Sequence, residues 1–166
     1  MKWTQYRLYF LFASLFILFI GCPYKSEFPL SDSTKSEIDK NLLGKWEITN
    51  TTIDTVEFFQ FNDNEYIVLL KVNRKNEFVL IRAFITKIKN HNFLNMQNIN
   101  PSDSDRTWTF ENFEMKNDTL LLKSVESDIF KKEFNSSDSL YNFISENLDN
   151  DELYGKGEES ILKRLQ

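Results

Sequence analysis

The sequence predicts an all-β fold: an eight-stranded antiparallel meander that closes into a barrel, with a helix near the C-terminus. Eight short runs of β-type residues between positions 44 and 134 are joined by turns rich in Asn and Asp. None of the intervening segments is long enough for a helical crossover, so neighbouring strands are expected to run antiparallel. After position 135 the apolar spacing changes to that of a helix.

The strands follow from the pattern in chain order. The first run, GKWEITNT, alternates, with Trp46 and Ile48 on one face and charged or polar residues on the other. The turns NDN, NRKN and KND separate later runs. Eight such strands around one core can close into a barrel, which removes the exposed edges. The predicted runs span residues 44–51, 55–61, 65–72, 77–88, 93–99, 106–115, 119–125 and, as a possible last strand, 128–134.

A helix is predicted to start near Ser137 or Asp138, because four apolar residues after this point share one helical face. The final residues, EESILKRLQ, could form a second, short helix. The runs at 65–72 and 77–88 are apolar on both faces, so their outer face also needs cover. The first helix is the expected cover, with dimerisation or membrane contact as alternatives. The four residues are Leu140, Phe143, Ile144 and Leu148.

The composition argues against a nucleic-acid partner. Of the 20 basic residues among the 166 of the chain, only Lys2 and Arg7 fall within the first 21 positions. The rest of the chain has 18 basic against 25 acidic residues, a net charge of −7, whereas phosphate binding needs a basic face. The single cysteine permits neither an internal disulfide nor a Cys-based metal site.

The first 21 residues have the pattern of an export signal. The basic start MKWTQYR precedes residues 8–20, an apolar run of 13 residues. This length fits the apolar region of a signal peptide and falls short of the ~20 residues that a membrane-spanning helix needs. We therefore expect residues 1–21 to be a signal that is removed.

The end of that signal, FIGC, resembles the lipobox of bacterial lipoproteins. The resemblance implies that a lipid is attached to the thiol of Cys22 and that cleavage falls between Gly21 and Cys22. Acyl chains such as palmitate would then anchor the protein in the membrane of the cell envelope. Pro23, rather than Asp, follows the cysteine, which by analogy favours the outer over the inner membrane. A free thiol at Cys22 is the alternative.

Residues 22–40 are predicted to be a flexible tether, because the segment is polar and contains two prolines and four serines. The folded domain is expected to begin near Asn41 and to span residues 41–166.

The motif NLLGKWEI, with Gly44 and Trp46 at the entry to the first strand, resembles the opening motif of lipocalin-like proteins. The layout as a whole resembles small lipocalin-like lipoproteins of Bacteroidetes. The resemblance implies an eight-stranded antiparallel barrel with Trp46 packed across its closed base. The T-D-Y loop of the family is absent. The arginine that stacks on the tryptophan in that family has three candidates here: Arg82, Arg106 and Arg164.

The sequence contains no signature of an enzyme, and no cofactor is expected. His91 is the single histidine and lies in a predicted turn, which favours a solvated side chain over a metal ligand. The pairs Asp103/Asp105 and Asp149/Asp151 are interpreted as solvated acidic turns, since neither has the spacing of a calcium loop. No hydrolase nucleophile motif or glycine-rich phosphate loop is present.

The function expected from the sequence is non-catalytic binding of a small hydrophobic molecule at the membrane. The aromatic residues of the strands either fill the core or line a cavity for such a ligand, and a filled core is the simpler interpretation. The alternative function is protein–protein interaction, as an accessory subunit of an envelope complex or an inhibitor. The aromatic residues in question are Phe58, Phe59, Phe61, Phe78, Phe84, Trp108, Phe110 and Phe113.

Overall fold

The computed structural model describes residues 23–48, 53–72, 77–100, 106–130, 133–154 and 159–165. The predicted signal with Gly21 and the predicted lipid site Cys22 lie outside the described residues, and so do Asp103 and Asp105.

The described residues form a closed barrel of eight antiparallel strands, as the sequence predicts. Each strand pairs with the next along the chain, and the last pairs with the first. The base of the barrel is the end with the short turns β2–β3, β4–β5 and β6–β7, and the mouth is the opposite end. The strands are β1 Gly44–Ile48, β2 Ile53–Gln60, β3 Tyr66–Val72, β4 Glu77–Ile88, β5 His91–Asn98, β6 Trp108–Lys116, β7 Thr119–Ser124 and β8 Ser160–Arg164.

The closing strand lies nearer the C-terminus than the sequence predicts. The range 128–134 contains no strand among its described residues, and the predicted terminal helix is instead β8. Without β8, the facing edges of β1 and β7 would both present unpaired backbone groups. Leu162 then faces the interior between Ile48 and Leu120. The backbone pairing of residues 160–164 with the open edges of β1 and β7 therefore outweighs the helical spacing of this segment.

The segment predicted as a flexible tether packs against the barrel from Pro23 onward. We call residues 23–43 the N-terminal strap. Leu30 of the strap is buried, and its backbone N–H donates to Asn95 Oδ1 at 2.7 Å. Ser36 Oγ accepts from the N–H of Ile85 at 2.9 Å. The pairing of β3 with β4 ends at Ala83, so the strap covers the edge of β4 that β3 leaves open.

One helix, α1 (Ser137–Glu146), lies between β7 and β8 and covers part of the outer face of the barrel. Ser136 caps it by accepting from the N–H of Ser139 at 3.2 Å. Leu140 and Ile144 are buried in a cluster outside the barrel. The expectation that this helix covers the outer faces of the runs 65–72 and 77–88 is confirmed in part: Phe84 and Ile88 of β4 are buried in this cluster, whereas Phe78 and Leu80 are exposed and no β3 residue belongs to it. The barrel residues in the cluster are Phe84, Ile88, Phe93, Trp108 and Phe110. No helix in the described part of the chain is long and apolar enough to cross a membrane.

Trp46 lies at the base of the barrel and is fully buried. Its indole Nε1 donates to the carbonyl of Leu42 at 2.9 Å. The guanidinium of Arg164 lies 4.2 Å from the centre of the Trp46 ring and donates to the carbonyl of Leu43 at 2.8 Å. Of the three arginines that the sequence leaves open, Arg164 is the one that stacks on Trp46. It ties the strap to the last strand.

Gly44 enters β1 with a φ of +106°, a conformation that L side chains rarely adopt. A Cβ atom at this position would lie 3.4 Å from Nη1 of Arg164. The glycine therefore turns the chain into β1 directly beneath the guanidinium.

Removing the indole of Trp46 is expected to lower stability strongly. Trp46→Ala should reduce the free energy of unfolding by about 3–5 kcal/mol, because it leaves a large void and removes the surface on which Arg164 stacks. Urea denaturation measures the change. Phe61→Ala is the control, since Phe61 is 63% exposed and its removal should cost less than about 0.5 kcal/mol. Equal effects of the two substitutions would contradict the role of Trp46.

Candidate functional site

Large side chains fill the base half of the barrel interior. Trp46 and Tyr66 are fully buried, and Phe58 lies edge-on to Tyr66 with 6.1 Å between the ring centres. The Tyr66 hydroxyl accepts from the backbone N–H of Asp39 at 2.6 Å. Burial raises the pKa of Tyr66 to about 12, so this hydroxyl stays protonated. The base half is a packed core. Of the eight aromatic residues that the sequence singles out, Phe58 and Phe113 belong to the core inside the barrel. The others are buried outside the barrel (Phe84, Trp108 and Phe110) or exposed (Phe59, Phe61 and Phe78).

Aliphatic side chains line the mouth half of the interior and keep part of their surface exposed. They face inward by strand alternation and pack against the buried core beneath them. Leu70 and Val79 lie directly opposite each other on β3 and β4. We call this group the mouth cup; its residues are Ile48, Ile53, Leu70, Val79 and Met96.

A carboxyl group lies inside the barrel below the mouth cup. Glu111 of β6 pairs in register with Leu94 on one side and with Ser124 on the other, and it is 9% exposed. The neighbouring inward position on β6, Thr109, pairs with Met96 of the cup. Glu111 is therefore one inward-facing step deeper than the cup.

Ser124 Oγ lies 2.7 Å from Oε1 and 2.9 Å from Oε2 of Glu111. Burial raises the pKa of Glu111 to about 7, the Ser124 hydrogen bond opposes this shift, and the nearby charge of Glu126 adds to it. Glu126 is itself 6% exposed, and its N–H donates to the carbonyl of Leu153 at 2.9 Å. The interior below the cup therefore has acidic character and a carboxyl group that titrates near neutral pH.

A cavity lies outside the barrel, between the strap, β4 and α1. It has a volume of about 1220 Å³ and is lined by strap residues 29–33 and 35–39, by Arg82 and by Tyr141, among others. Some of its polar side chains are paired within the protein: Ser31 Oγ lies 2.6 Å from Thr86 Oγ1, for example. We call this space the lateral cleft.

Arg82 in the lateral cleft is held in place by a buried partner. Its Nε and Nη2 donate to the two carboxylate oxygens of Glu65, at 3.0 and 2.6 Å. These bonds hold the pKa of Glu65 below its ordinary value. The guanidinium also lies 5.6 Å from the centre of the Trp108 ring. The Nε and Nη2 groups of Arg82 and the flat face of its guanidinium thus already have partners within the fold.

The structure separates the residues that the sequence singles out. His91 is the first residue of β5 and is half-buried, with its Nδ1 3.2 Å from Asn112 Nδ2. Asp149 and Asp151 are exposed near the end of α1. No three His, Cys, Asp or Glu side chains within the described ranges are placed to hold a metal ion together.

Sequence reasoning misses Glu111, although a signal for it exists. In WTFENF, Glu111 shares one strand face with Phe113, and Trp108 shares the other with Phe110. Both faces are apolar enough to be buried, so alternation alone does not tell which one points into the barrel. The face with Trp108 and Phe110 packs under α1, and the face with Glu111 and Phe113 therefore lines the interior.

Comparisons with protein-family models, curated proteins and solved structures found no match for this chain.

The buried carboxyl group predicts a pH-dependent stability. The pKa of Glu111 is about 7 in the folded state and lies near the ordinary value of 4.5 in the unfolded chain, so the folded state binds the proton more tightly. The contribution of Glu111 to the free energy of unfolding is therefore full below about pH 4.5 and is lost as the pH rises through 7. The wild-type free energy of unfolding should fall by about 3 kcal/mol from pH 5 to pH 8 through this group, as followed by urea denaturation.

Glu111→Gln should lack this fall, because the amide does not titrate. The matched control is Glu114→Gln on the same strand, where the wild-type carboxylate is 62% exposed and lies 3.0 Å from Lys116 Nζ. That variant should keep the wild-type pH profile. A Glu111→Gln profile parallel to wild type would show that Glu111 does not titrate in this range.

Proposed function

We propose that this chain is a membrane-anchored, non-catalytic binding module that holds a small hydrophobic molecule in the mouth cup. The observation that carries the proposal is the contrast between the two halves of the barrel interior. The base half is closed by fully buried aromatic side chains, whereas the inward-facing aliphatic residues at the mouth are partly exposed. A partly exposed apolar surface of this kind favours an apolar ligand.

The packed base limits the ligand that the proposal allows. Trp46, Phe58 and Tyr66 occupy the space that a long ligand would need. The cup therefore suits a short apolar group that enters from the mouth and stops above the aromatic layer. A branched or short alkyl chain fits this description better than a large planar molecule.

The proposed lipid anchor fits this geometry. Pro23, which follows Cys22 in the sequence, forms a β-bridge with Glu126, two residues beyond the mouth end of β7. A lipid attached directly before Pro23 would hold the mouth end of the barrel towards the membrane of the cell envelope. An apolar ligand could then pass between the bilayer and the cup over a short path. The outer membrane is the proposed location.

A second candidate function is protein–protein interaction through the outer face of the barrel. Phe59, Phe78 and Leu80 point outward from β2 and β4 and are 46%, 49% and 37% exposed. In register, Ile67 of β3 pairs with Phe59, and Leu69 pairs with Leu80. Exposed apolar side chains grouped in this way are a feature of interaction sites. An envelope protein is the partner that the proposed location allows.

The proposed anchor predicts the location of a cysteine variant. Cys22→Ala removes the thiol that would carry the lipid, so the protein should leave the membrane fraction, because the remaining chain has no acyl group to hold it. Fractionation of cells and immunoblotting measure this. Ser26→Ala is the control, because it replaces another small side chain four residues after Cys22. This variant should stay in the membrane fraction. Retention of Cys22→Ala in the membrane would refute lipid anchoring at this position.

The proposed ligand site predicts different effects for two neighbouring residues. Val79 faces the cup and Leu80 faces outward on the same strand. Val79→Phe should fill the cup and weaken binding of octanol, a short alkyl probe, by about tenfold or more. Leu80→Phe introduces the same side chain on the outer face and should leave the affinity unchanged. Isothermal titration calorimetry of the full chain measures both.

Three results would count against the cup. Absence of binding by the wild-type chain would refute it, and so would an unchanged affinity in a folded Val79→Phe protein. A loss confined to Leu80→Phe would place the apolar probe on the outer face and favour the second candidate function.

A further inference from the structure

Glu111 has hydrogen-bonding capacity that the fold does not use. A carboxylate accepts several hydrogen bonds through its two oxygens, whereas the Ser124 hydroxyl has one proton to donate. Both oxygens lie within 2.9 Å of Ser124 Oγ, so at any moment the hydroxyl serves one of them. Ser124 is the single hydrogen-bond partner of Glu111 within the described residues. A buried carboxyl oxygen in the barrel interior is therefore available to a ligand.

The surroundings of this oxygen make one type of ligand group favourable. Leu94, the register neighbour of Glu111, is fully buried and apolar. The second buried carboxyl group, that of Glu126, is close enough for its charge to act on Glu111. The region thus combines low solvent access with a carboxyl group that has acceptor capacity to spare. A cation entering it would gain a charge-assisted hydrogen bond from its N–H to the Glu111 carboxylate.

We propose that the mouth cup selects small apolar molecules that carry a protonated amine, and that Glu111 binds the ammonium group while the aliphatic side chains of the cup hold the apolar part. This inference rests on the proposed function and adds the chemical class of the ligand. Thr109 marks the path, since it pairs with Met96 of the cup and is the next inward-facing position on β6 before Glu111.

The same geometry disfavours two related ligand classes. A fatty acid would bring its own carboxylate next to the Glu111 carboxyl group, which is unfavourable in a region shielded from water. An alcohol can donate one neutral hydrogen bond to Glu111 but gains no charge attraction, so it should bind more weakly than an amine of the same chain length.

The test compares three probes of equal chain length on the full chain: octylamine, octanol and octanoic acid. Isothermal titration calorimetry at neutral pH should give an affinity for octylamine at least about tenfold higher than for the other two. Glu111→Gln should remove this preference and leave the affinity for octanol within about twofold of wild type. Glu114→Gln, the outward-facing control on β6, should keep the preference.

The possible results separate this inference from the proposed function. Equal binding of all three probes, or tighter binding of octanol or octanoic acid, would overturn the amine preference and leave the cup intact. A preference for octylamine that persists in Glu111→Gln would overturn the role of Glu111. Absence of binding by every probe would overturn both proposals. Because the wild-type preference is measured without any substitution, the test does not depend on the folding of a variant.

Discussion

The rest of the structure depends on the contact between Arg164 and Trp46. Arg164 ends the strand that closes the barrel, and its guanidinium lies 4.2 Å from the centre of a fully buried indole ring at the base. The same guanidinium binds the carbonyl of Leu43, the last residue of the strap. One side chain therefore joins the first strand, the last strand and the segment that leads into the barrel. This joint closes the base, so the proposed ligand site lies at the opposite end of the barrel.

The position of Glu111 follows from how the outer faces are covered. The strap and α1 cover the outer face of β4 to β6, where Phe84, Phe93 and Phe110 are buried. This fixes which face of β6 turns inward, and Glu111 is on that face. A carboxyl group inside a barrel costs stability unless it is neutralised. That cost is the physical link between the pH dependence of folding and the proposed binding of an amine.

Much of the architecture can be predicted from the sequence, because it depends on local patterns. Alternation and Asn/Asp turns locate the first seven strands, and the apolar spacing from Leu140 onward locates α1. The closing strand cannot be predicted this way, since Ile161, Leu162 and Leu165 have helical spacing and only the open edges of β1 and β7 make them a strand. The strap is likewise missed, because its hydrogen bonds go to distant partners: the Ser36 side chain accepts from Ile85, and the backbone N–H of Leu30 donates to Asn95. Glu111 escapes prediction because both faces of β6 are apolar.

The central claim is that the mouth cup, rather than the lateral cleft or the outer face, receives an apolar molecule. A crystal structure of the full chain soaked with bromo-octanol tests it most directly, since the anomalous signal of bromine locates the ligand. We expect a bromine peak inside the barrel, within van der Waals distance of Val79 and Met96. A peak against Phe78 and Leu80 on the outer face, or beside Tyr141 in the lateral cleft, would contradict it.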